Sequence, residues 1–341
     1  MTTYDDRRLW PGTVPPVAGA PVRRAGSVRR TTNVDLVRPD GFGGPLVISG
    51  RGRDLATGVD GEARTVEQGW AEVVVDYAGG RLVSGVRADP WPDGLDGVIG
   101  ARAGSGFRRA LAEAVPGLAA SGSIVHQLLD EVSPGTLISG SALAREGLIH
   151  LAAGPAAGGR APQIPTDICA GWQAGGAMHD AIAETGVPLL GWGPPAPSLT
   201  VADDPLAWHP MDDLSPMSMR RRRLIDIGAG GEVEVRYRDS YWEHDGTETV
   251  VHEYGLWALV DVETWVVLEA SAVPGPLPAP ECPSAAASAG RLVGQRVGGL
   301  REVVRDTFTG TTTCTHLNDV FRSLADLPHI GDRGLGRVDR P

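Results

Sequence analysis

The order of the predicted secondary-structure elements occurs twice along the chain, and this repetition limits the fold more than any other feature. Each time, a segment with adjacent arginines and an aspartate opens a run of strands, and two helices follow. The opening segments are SVRRTTNVDL at 27–36 and MRRRRLIDIG at 219–228. Strands followed by helices are typical of α+β domains, in which helices pack on one face of a largely antiparallel sheet. The sequence therefore predicts two tandem copies of such a unit.

Residue periodicity supports this order in the first copy. Alternation of apolar and polar residues over 28–36 predicts a strand, and a later hairpin is expected to turn at Gly79-Gly80. The stretch SGFRRALAEAV then changes to helical spacing. A second helix is predicted from SGSIVHQLLDEV, with Ser121 or Ser123 as its cap.

The second copy repeats these signals. Residues 232–273 predict a run of strands, and AGRLVGQRVGGLREVVRDTF predicts a helix over 289–308. The last helix is predicted from TTTCTHLNDVFRSLADL, in which apolar residues recur at helical spacing. Alignment of the final helices of the two copies places His126 against His316, whereas alignment of Asp130 with Asp319 shifts the register by one residue.

Four regions follow from this division. Residues 1–26 predict an extended N-terminal arm, because Pro, Gly and Arg are frequent there without periodicity. Residues 27–150 form the first α+β copy, residues 151–218 a connecting strap with a short helix, and residues 219–335 the second α+β copy. A length of 341 residues suits two domains. Two like copies in one chain are expected to pack about a pseudo-twofold axis, as an intramolecular dimer.

The charge of the chain excludes several classes of partner. The formal net charge of −11 repels nucleic acid and anionic membranes. Every side chain in the Lys+Arg count is arginine, which excludes a lysine Schiff base and a Walker lysine. The N-terminal segment has no apolar h-region, and three cysteines are too few for a disulfide framework. These features predict a soluble cytoplasmic protein.

The second copy resembles a bacterial family, the domain of unknown function 2889. Its single-domain members begin with a double arginine and an aspartate and end on a Gly-Cys-Thr-His-Leu pattern. The matching positions here are Arg222, Arg223, Asp226, the Pro280-Glu281-Cys282 stretch, and Cys314, Thr315, His316 and Leu317. The resemblance covers most of 219–330 and, more weakly, 27–145, so the chain is similar to a two-copy version of the family.

Two positions depart from the family pattern. Thr313 stands where the family has glycine, and Val125 stands where the first copy would carry the cysteine. A cysteine-dependent activity is therefore in doubt for the first copy. The family has no established activity. The resemblance implies only that its members are neighbours of catabolic enzymes for aromatic or acyl-thioester compounds.

The start of the last helix combines residue types that suit acid–base chemistry. Thr313 or Thr315 is expected to cap the helix, with His316 in the first turn and Asp319 three residues later on the same face. The helix dipole disfavours imidazolium and favours thiolate. His316 is thus a candidate general base, Asp319 its orienting partner and Cys314 a candidate nucleophile. The alternative is a capped helix start in which the cysteine is a core residue and the histidine is structural.

Arginines and a tryptophan on the predicted strands are candidate substrate-binding residues. Strand alternation sends one arginine of each adjacent pair towards a pocket, where it can bind a carboxylate or a phosphate. Trp257 can line a flat apolar cavity. The alternatives are internal ion pairs with Asp35 or Asp226, and a sheet core filled by large rings. The predicted substrate-binding residues are Arg30, Arg222, Arg223 and Trp257.

The function predicted from these residues is a cofactor-independent hydrolase or lyase, acting on a small carboxylated aromatic or acyl-thioester compound in a catabolic pathway. One alternative is a non-catalytic small-molecule-binding or accessory protein. A second is a zinc-dependent hydrolase with Cys282, Cys314 and His316 as ligands and water or His252 as the fourth, although no CxxC or HxxxH pair supports it. The expected partner is a small-molecule ligand, and a homodimer of the whole chain stays open.

Overall fold

The strands of the protein form one antiparallel sheet. The computed structural model describes residues 14–148, 164–189 and 193–335, so parts of the predicted arm and strap lie outside the described residues. The eight described strands have the order β4-β3-β2-β1-β5-β6-β7-β8. Their bounds are β1 Ser27–Val37, β2 Leu46–Thr57, β3 Ala63–Asp76, β4 Leu82–Asp89, β5 Met219–Gly228, β6 Glu232–Trp242, β7 Glu248–Asp261 and β8 Val266–Pro274.

The helices lie on one face of this sheet, and the predicted α+β class is confirmed. The α-helices are α1 Phe107–Ala114, α2 Ile124–Asp130, α3 Val132–Ile138, α4 Gly140–Arg145, α5 Ala177–Thr185, α6 Leu300–Thr307, α7 Thr315–Ser323 and α8 Leu327–Gly334. We call β1–β4 with α1–α4 the first half and β5–β8 with α6–α8 the second half. None of the described helices is both long enough and apolar enough to cross a membrane.

Three local expectations differ from the structure. The helix predicted over 289–308 is present only as α6, because a 3₁₀ segment ends at Leu292 and Gly294 then takes a positive φ of 84°. The turn after β3 is longer than two residues, and Gly80 and Arg81 are the positions with positive φ. The N-cap of α7 is Cys314, without a side-chain cap, whereas α2 is capped by Ser123, which accepts a hydrogen bond from the His126 amide.

Paired charges at the centre of the sheet connect the two halves. β1 and β5 run antiparallel, and Arg29 stands opposite Asp226 while Asp35 stands opposite Arg220. Each arginine donates two hydrogen bonds to its carboxylate, at 2.7 and 2.6 Å for Arg29 and at 2.6 and 2.9 Å for Arg220. These four side chains are buried. Bidentate pairs that lie in register hold the strands at one alignment, since a one-residue slip would turn every side chain to the other face.

The same arrangement recurs one strand outwards on the helix-bearing face. Arg30 of β1 makes a bidentate pair with Asp54 of β2, with both contacts at 2.7 Å. Arg221 of β5 makes one with Asp239 of β6, at 2.8 and 3.1 Å. Adjacent arginines therefore serve opposite faces of the sheet, as strand alternation requires.

The face without helices is covered in its central part by the N-terminal arm and by the strap. Arg29 donates a hydrogen bond to the carbonyl of Pro21 in the arm, at 2.7 Å. Arg238 donates another to the carbonyl of Pro197 in the strap, at 2.8 Å. His209 of the strap contacts β1 through its Nδ1, 2.9 Å from the Thr31 hydroxyl, and through its Nε2, 2.7 Å from Asn33 Oδ1. Polar contacts thus attach both extended segments to the middle strands.

Removal of one central charge should destabilise the whole chain. Asp226→Asn leaves the Arg29 guanidinium buried without its carboxylate, and breaking a buried pair from one side costs about 3–5 kcal/mol of unfolding free energy. Urea unfolding followed by circular dichroism measures the change. Asp306→Asn is the matched control, because its pair with Arg305 is exposed and should contribute at most about 1 kcal/mol. Equal stabilities of the two variants would contradict a central role for the Arg29–Asp226 pair.

The contact of His209 with β1 should make the free energy of unfolding depend on pH. Burial, together with the nearby Arg53, Arg220 and Arg51, lowers the pKa of His209 to about 3. A histidine with a depressed folded pKa contributes stability that is present above its unfolded pKa of about 6.5 and is lost as the pH falls from there towards 3. We expect His209→Gln to reduce the slope of unfolding free energy against pH between 6.5 and 4. An unchanged slope would show that other groups cause the acid dependence.

Candidate functional site

A cleft separates the helices of the two halves above the sheet. It has a volume of about 870 Å³ and is lined by residues of α1, α2 and α3 from the first half and of α6 and α7 from the second. Both His126 and His316 lie in its lining. This volume is within the range of small-molecule sites in proteins, roughly 300–1,000 Å³.

His316 reaches the cleft from the first turn of α7. The start of that helix is anchored by Asn318, whose side chain donates a hydrogen bond to the Phe308 carbonyl at 2.8 Å. The imidazole of His316 is 16% exposed, and its Nε2 lies 3.8 Å from Asp239 Oδ2. Its Nδ1 lies 3.8 Å from the sulfur of Cys314. The Nε2 contact is longer than a good hydrogen bond, so this nitrogen can still bind a ligand or water, whereas the Nδ1 contact is within reach of a weak hydrogen bond to sulfur.

Asp239 is the carboxylate behind His316, and it is held in place by two neighbours. Arg221 makes the bidentate contact described above, and the Tyr237 hydroxyl donates a hydrogen bond to Oδ2 at 2.7 Å. Burial opposes the negative charge of Asp239, but the Arg221 guanidinium outweighs this effect and holds its pKa well below the usual range. Asp239 is therefore ionised at neutral pH and faces the histidine as a fixed negative charge.

The histidine itself is neutral at physiological pH. Burial lowers the pKa of His316 well below its ordinary value, and His252 and Arg221 add to this while Asp239 opposes it. A neutral imidazole can accept a proton, which is what a general base requires. Burial also raises the pKa of Cys314 to about 11, so this residue is a thiol rather than a thiolate at neutral pH. Desolvation of the sulfur thus raises the thiol pKa by more than the helix dipole was expected to lower it.

The structure places the predicted orienting residue, Asp319, in a different set of contacts. Asp319 pairs with Arg108 of α1 at 2.9 Å and with Arg221 at 3.3 Å. Asp239, 77 positions before His316 in the sequence, is the carboxylate that faces the ring. Sequence reasoning missed Asp239. The available signal was an Arg-x-Arg-Asp pattern that occurs at both 51–54 and 236–239.

The four predicted substrate-binding residues lie apart from the lining of this cleft. Arg30 is bound to Asp54, and Arg223 pairs with Glu131. Arg222 pairs with Glu248, and it lies on the face that the arm and strap cover. Trp257 is 41% exposed and points away from the helices, because its neighbours Leu256 and Ala258 belong to the core beneath them. The arginines therefore have protein carboxylates as partners.

A cluster at the corresponding place in the first half shows what distinguishes the His316 site. Asp54 and Glu67 lie 185 positions before Asp239 and His252, and they group with His329. Glu67 contacts His329 at 2.8 Å and Arg333 at 3.0 Å, and it accepts a hydrogen bond from the Ile124 amide. This first-half cluster is thus filled by ion pairs. In the second half a histidine stands at the position of the glutamate, and two imidazole rings lie beside the carboxylate.

Asp239, His252 and His316 are residue types that bind divalent metals, and their ligand atoms lie within 4.8 Å of one another. Their geometry does not suit a single ion, however. The two imidazole rings stack with centroids 3.7 Å apart and planes 20° apart, whereas a metal lies in the plane of each histidine that binds it, at about 2.0–2.1 Å. Cys282, from the predicted zinc set, is a buried free cysteine whose thiol pKa is raised by burial.

Comparison with known families gives one match. Residues 220–329 match the model of a family described as a protein of unknown function (DUF2889), so the resemblance predicted for the second half is confirmed. The match does not include the first half, and the tandem arrangement stays a prediction. Neither curated proteins nor solved structures provide a match to the chain.

We expect zinc to leave the protein unchanged. Because one ion cannot lie in the planes of two stacked rings, equimolar Zn²⁺ should shift the melting temperature of the wild type by no more than it shifts that of His252→Gln. Scanning fluorimetry measures the shift, and elemental analysis after dialysis measures retained zinc. A ratio near one zinc per chain that is lost in His252→Gln would instead identify this site as a metal centre.

Proposed function

We propose that the protein is a cofactor-independent hydrolase or lyase, which acts on a small carboxylated aromatic or acyl-thioester compound of a catabolic pathway. The single observation that carries this proposal is the position of His316. Its imidazole is kept neutral by burial, has a fixed carboxylate behind it, and opens into a cleft large enough for such a substrate. Perturbed histidines in clefts are frequent at catalytic sites.

In this proposal His316 is the general base. In a hydrolysis it would take a proton from water, whose oxygen forms the new bond to the substrate carbonyl while the leaving group departs. In an elimination it would take a proton from the substrate carbon next to the bond that breaks. Asp239 keeps its charge throughout, because the Arg221 guanidinium holds its pKa well below the usual range, and it stabilises the imidazolium.

Cys314 has no bond-forming role in this proposal, although it was a candidate nucleophile. The buried thiol would first have to lose a proton whose pKa is about 11. At neutral pH the thiolate would be a very small fraction of the population, and a nucleophilic cysteine needs the opposite shift. The contact with His316 Nδ1 places the sulfur where it can orient the ring.

We also propose that the two halves arose by tandem duplication and form a pseudo-twofold intramolecular dimer. Equivalent residues keep nearly constant separations, which supports this. Arg29 and Arg220 are 191 positions apart, as are Asp35 and Asp226, and His126 and His316 are 190 apart. Each half is also a four-stranded run ordered outwards from the middle of the sheet.

We further propose a cytoplasmic location for the protein, since Cys169, Cys282 and Cys314 are all free and buried.

The test is turnover of a panel of acyl thioesters and carboxylated aromatic esters, followed by mass spectrometry of the products. We expect His316→Gln to lower kcat/KM by about 10²–10⁴-fold for any compound that the wild type converts, because it removes the general base. The matched control is His244→Gln, an exposed histidine of the same half whose contact is with Glu146. Retention of turnover in His316→Gln would overturn the assignment.

The pH dependence of kcat/KM is a second test of His316 as the general base. The base must be neutral to act, and the depressed pKa of His316 means that kcat/KM should stay constant down to pH 6.5 and fall only below it. If the wild type binds several compounds of the panel but converts none of them, a small-molecule-binding protein replaces the enzyme as the proposed function.

A further inference from the structure

We infer that the ligand of the cleft is an anionic amphiphile, with an apolar body inside the cleft and a carboxylate or phosphate held by arginines at its mouth. This inference deepens the proposed function, because it concerns the same cleft. It needs no catalytic step, however, and rests on the charges and exposures of the lining residues.

Arginines outnumber acids in the lining of the cleft, although the protein as a whole is acidic. The lining contains six arginines but only the acids Asp130, Glu302 and Asp319, whereas the whole chain has a net charge of −11. The arginines are Arg81, Arg108, Arg109, Arg301, Arg305 and Arg322. A concave surface with one sign of charge concentrates ligands of the opposite sign.

The inner arginines are already bound to protein carboxylates. Arg108 pairs with Asp130 at 3.0 Å and with Asp319 at 2.9 Å, and Arg322 pairs with Asp130 at 2.9 Å. Arg301 pairs with Asp326, below the cleft lining. These contacts neutralise the three inner arginines, so the inner arginines are not available to an incoming anion.

Two arginines at the mouth of the cleft have only exposed acidic partners. Arg109 of α1 and Arg305 of α6 have side chains that are 82% and 65% exposed. Their acidic partners are Glu113 at 3.7 Å and the adjacent Asp306, and Glu302 also acts on Arg305; all three acids are exposed. Exposed pairs of this kind contribute little and exchange readily, so both guanidinium groups can bind an incoming carboxylate or phosphate.

The lining of the cleft also carries apolar side chains. Leu118, Pro134, Leu137 and Phe308 belong to the lining, and Leu137 is 59% exposed. An apolar side chain that is left open to a cleft favours an apolar ligand, since contact removes its surface from water. A molecule with its charged group at Arg109 and Arg305 would extend its apolar part towards the half-buried His316.

The experiment compares two fluorescent probes that share an aromatic body. 8-Anilinonaphthalene-1-sulfonate carries one negative charge, and N-phenyl-1-naphthylamine carries none. We expect Arg109→Gln/Arg305→Gln to weaken binding of the anionic probe by about three- to tenfold and to leave the neutral probe unchanged. The matched control is Arg64→Gln/Arg87→Gln, which removes two exposed arginines elsewhere.

The site of binding is checked with a blocking variant. Ala112 is an exposed residue of α1 in the cleft lining, and Ala112→Trp should weaken binding of both probes, because the indole occupies part of the cleft. Octanoate and octyl phosphate as competitors distinguish a carboxylate ligand from a phosphate ligand, with octanol as the uncharged control. Stronger competition by either anion than by octanol supports the inference.

Three results would overturn this inference. They are equal effects of the two double variants, undiminished binding to Ala112→Trp, and competition by octanol as strong as that by the anions. The probes need no turnover, so the outcome is independent of His316. If the probe results fail while His316→Gln abolishes turnover, only the ligand class is wrong. If the probes behave as expected but His316→Gln keeps its activity, the ligand class stands and the general base is wrong.

Discussion

The bidentate ion pairs between β1 and β5 are the interaction on which the rest of the structure depends. Taking an arginine and an aspartate out of water costs several kcal/mol for each ion, and only a complete set of partners offsets that cost. Arg29 pairs with Asp226, and Arg220 pairs with Asp35. Both pairs form together only when β1 and β5 lie in the observed register. They therefore determine how the two halves meet, and with them the cleft that the helices of both halves enclose. Their contribution is to alignment more than to total stability.

The sequence predicted the parts of the fold that depend on local periodicity. The α+β class, the run of strands after each arginine pair, and the helices at 107–114 and 315–323 follow from spacings within about ten residues. The prediction over 289–308 was wrong in its first part, because glycine at 294 has a positive φ that a helix does not allow. Local apolar spacing alone could not reveal this break.

The site was harder to predict, for a reason that the arginines illustrate. Arg30, Arg222 and Arg223 were assigned to a substrate because their type suits an anion, but whether an arginine is free depends on carboxylates that are distant in sequence. Glu131, for example, meets Arg223 from the junction of α2 and α3 in the other half. The same is true of the carboxylate beside His316. Residue type and helical spacing indicated Asp319, whereas the chain brings Asp239 to the ring from a neighbouring strand.

The central position of β1 has a consequence for synthesis on the ribosome. β1 pairs with β2 soon after both have emerged, but its other edge waits for β5, about 190 residues later in the chain. During that interval the first half presents an open strand edge, which invites pairing with foreign strands. Arg29 and Asp35 lie on this waiting edge, and charged side chains there oppose any partner that lacks the complementary pattern. The charges that align the finished strands are thus of the kind that disfavours pairing of an open edge with a foreign strand.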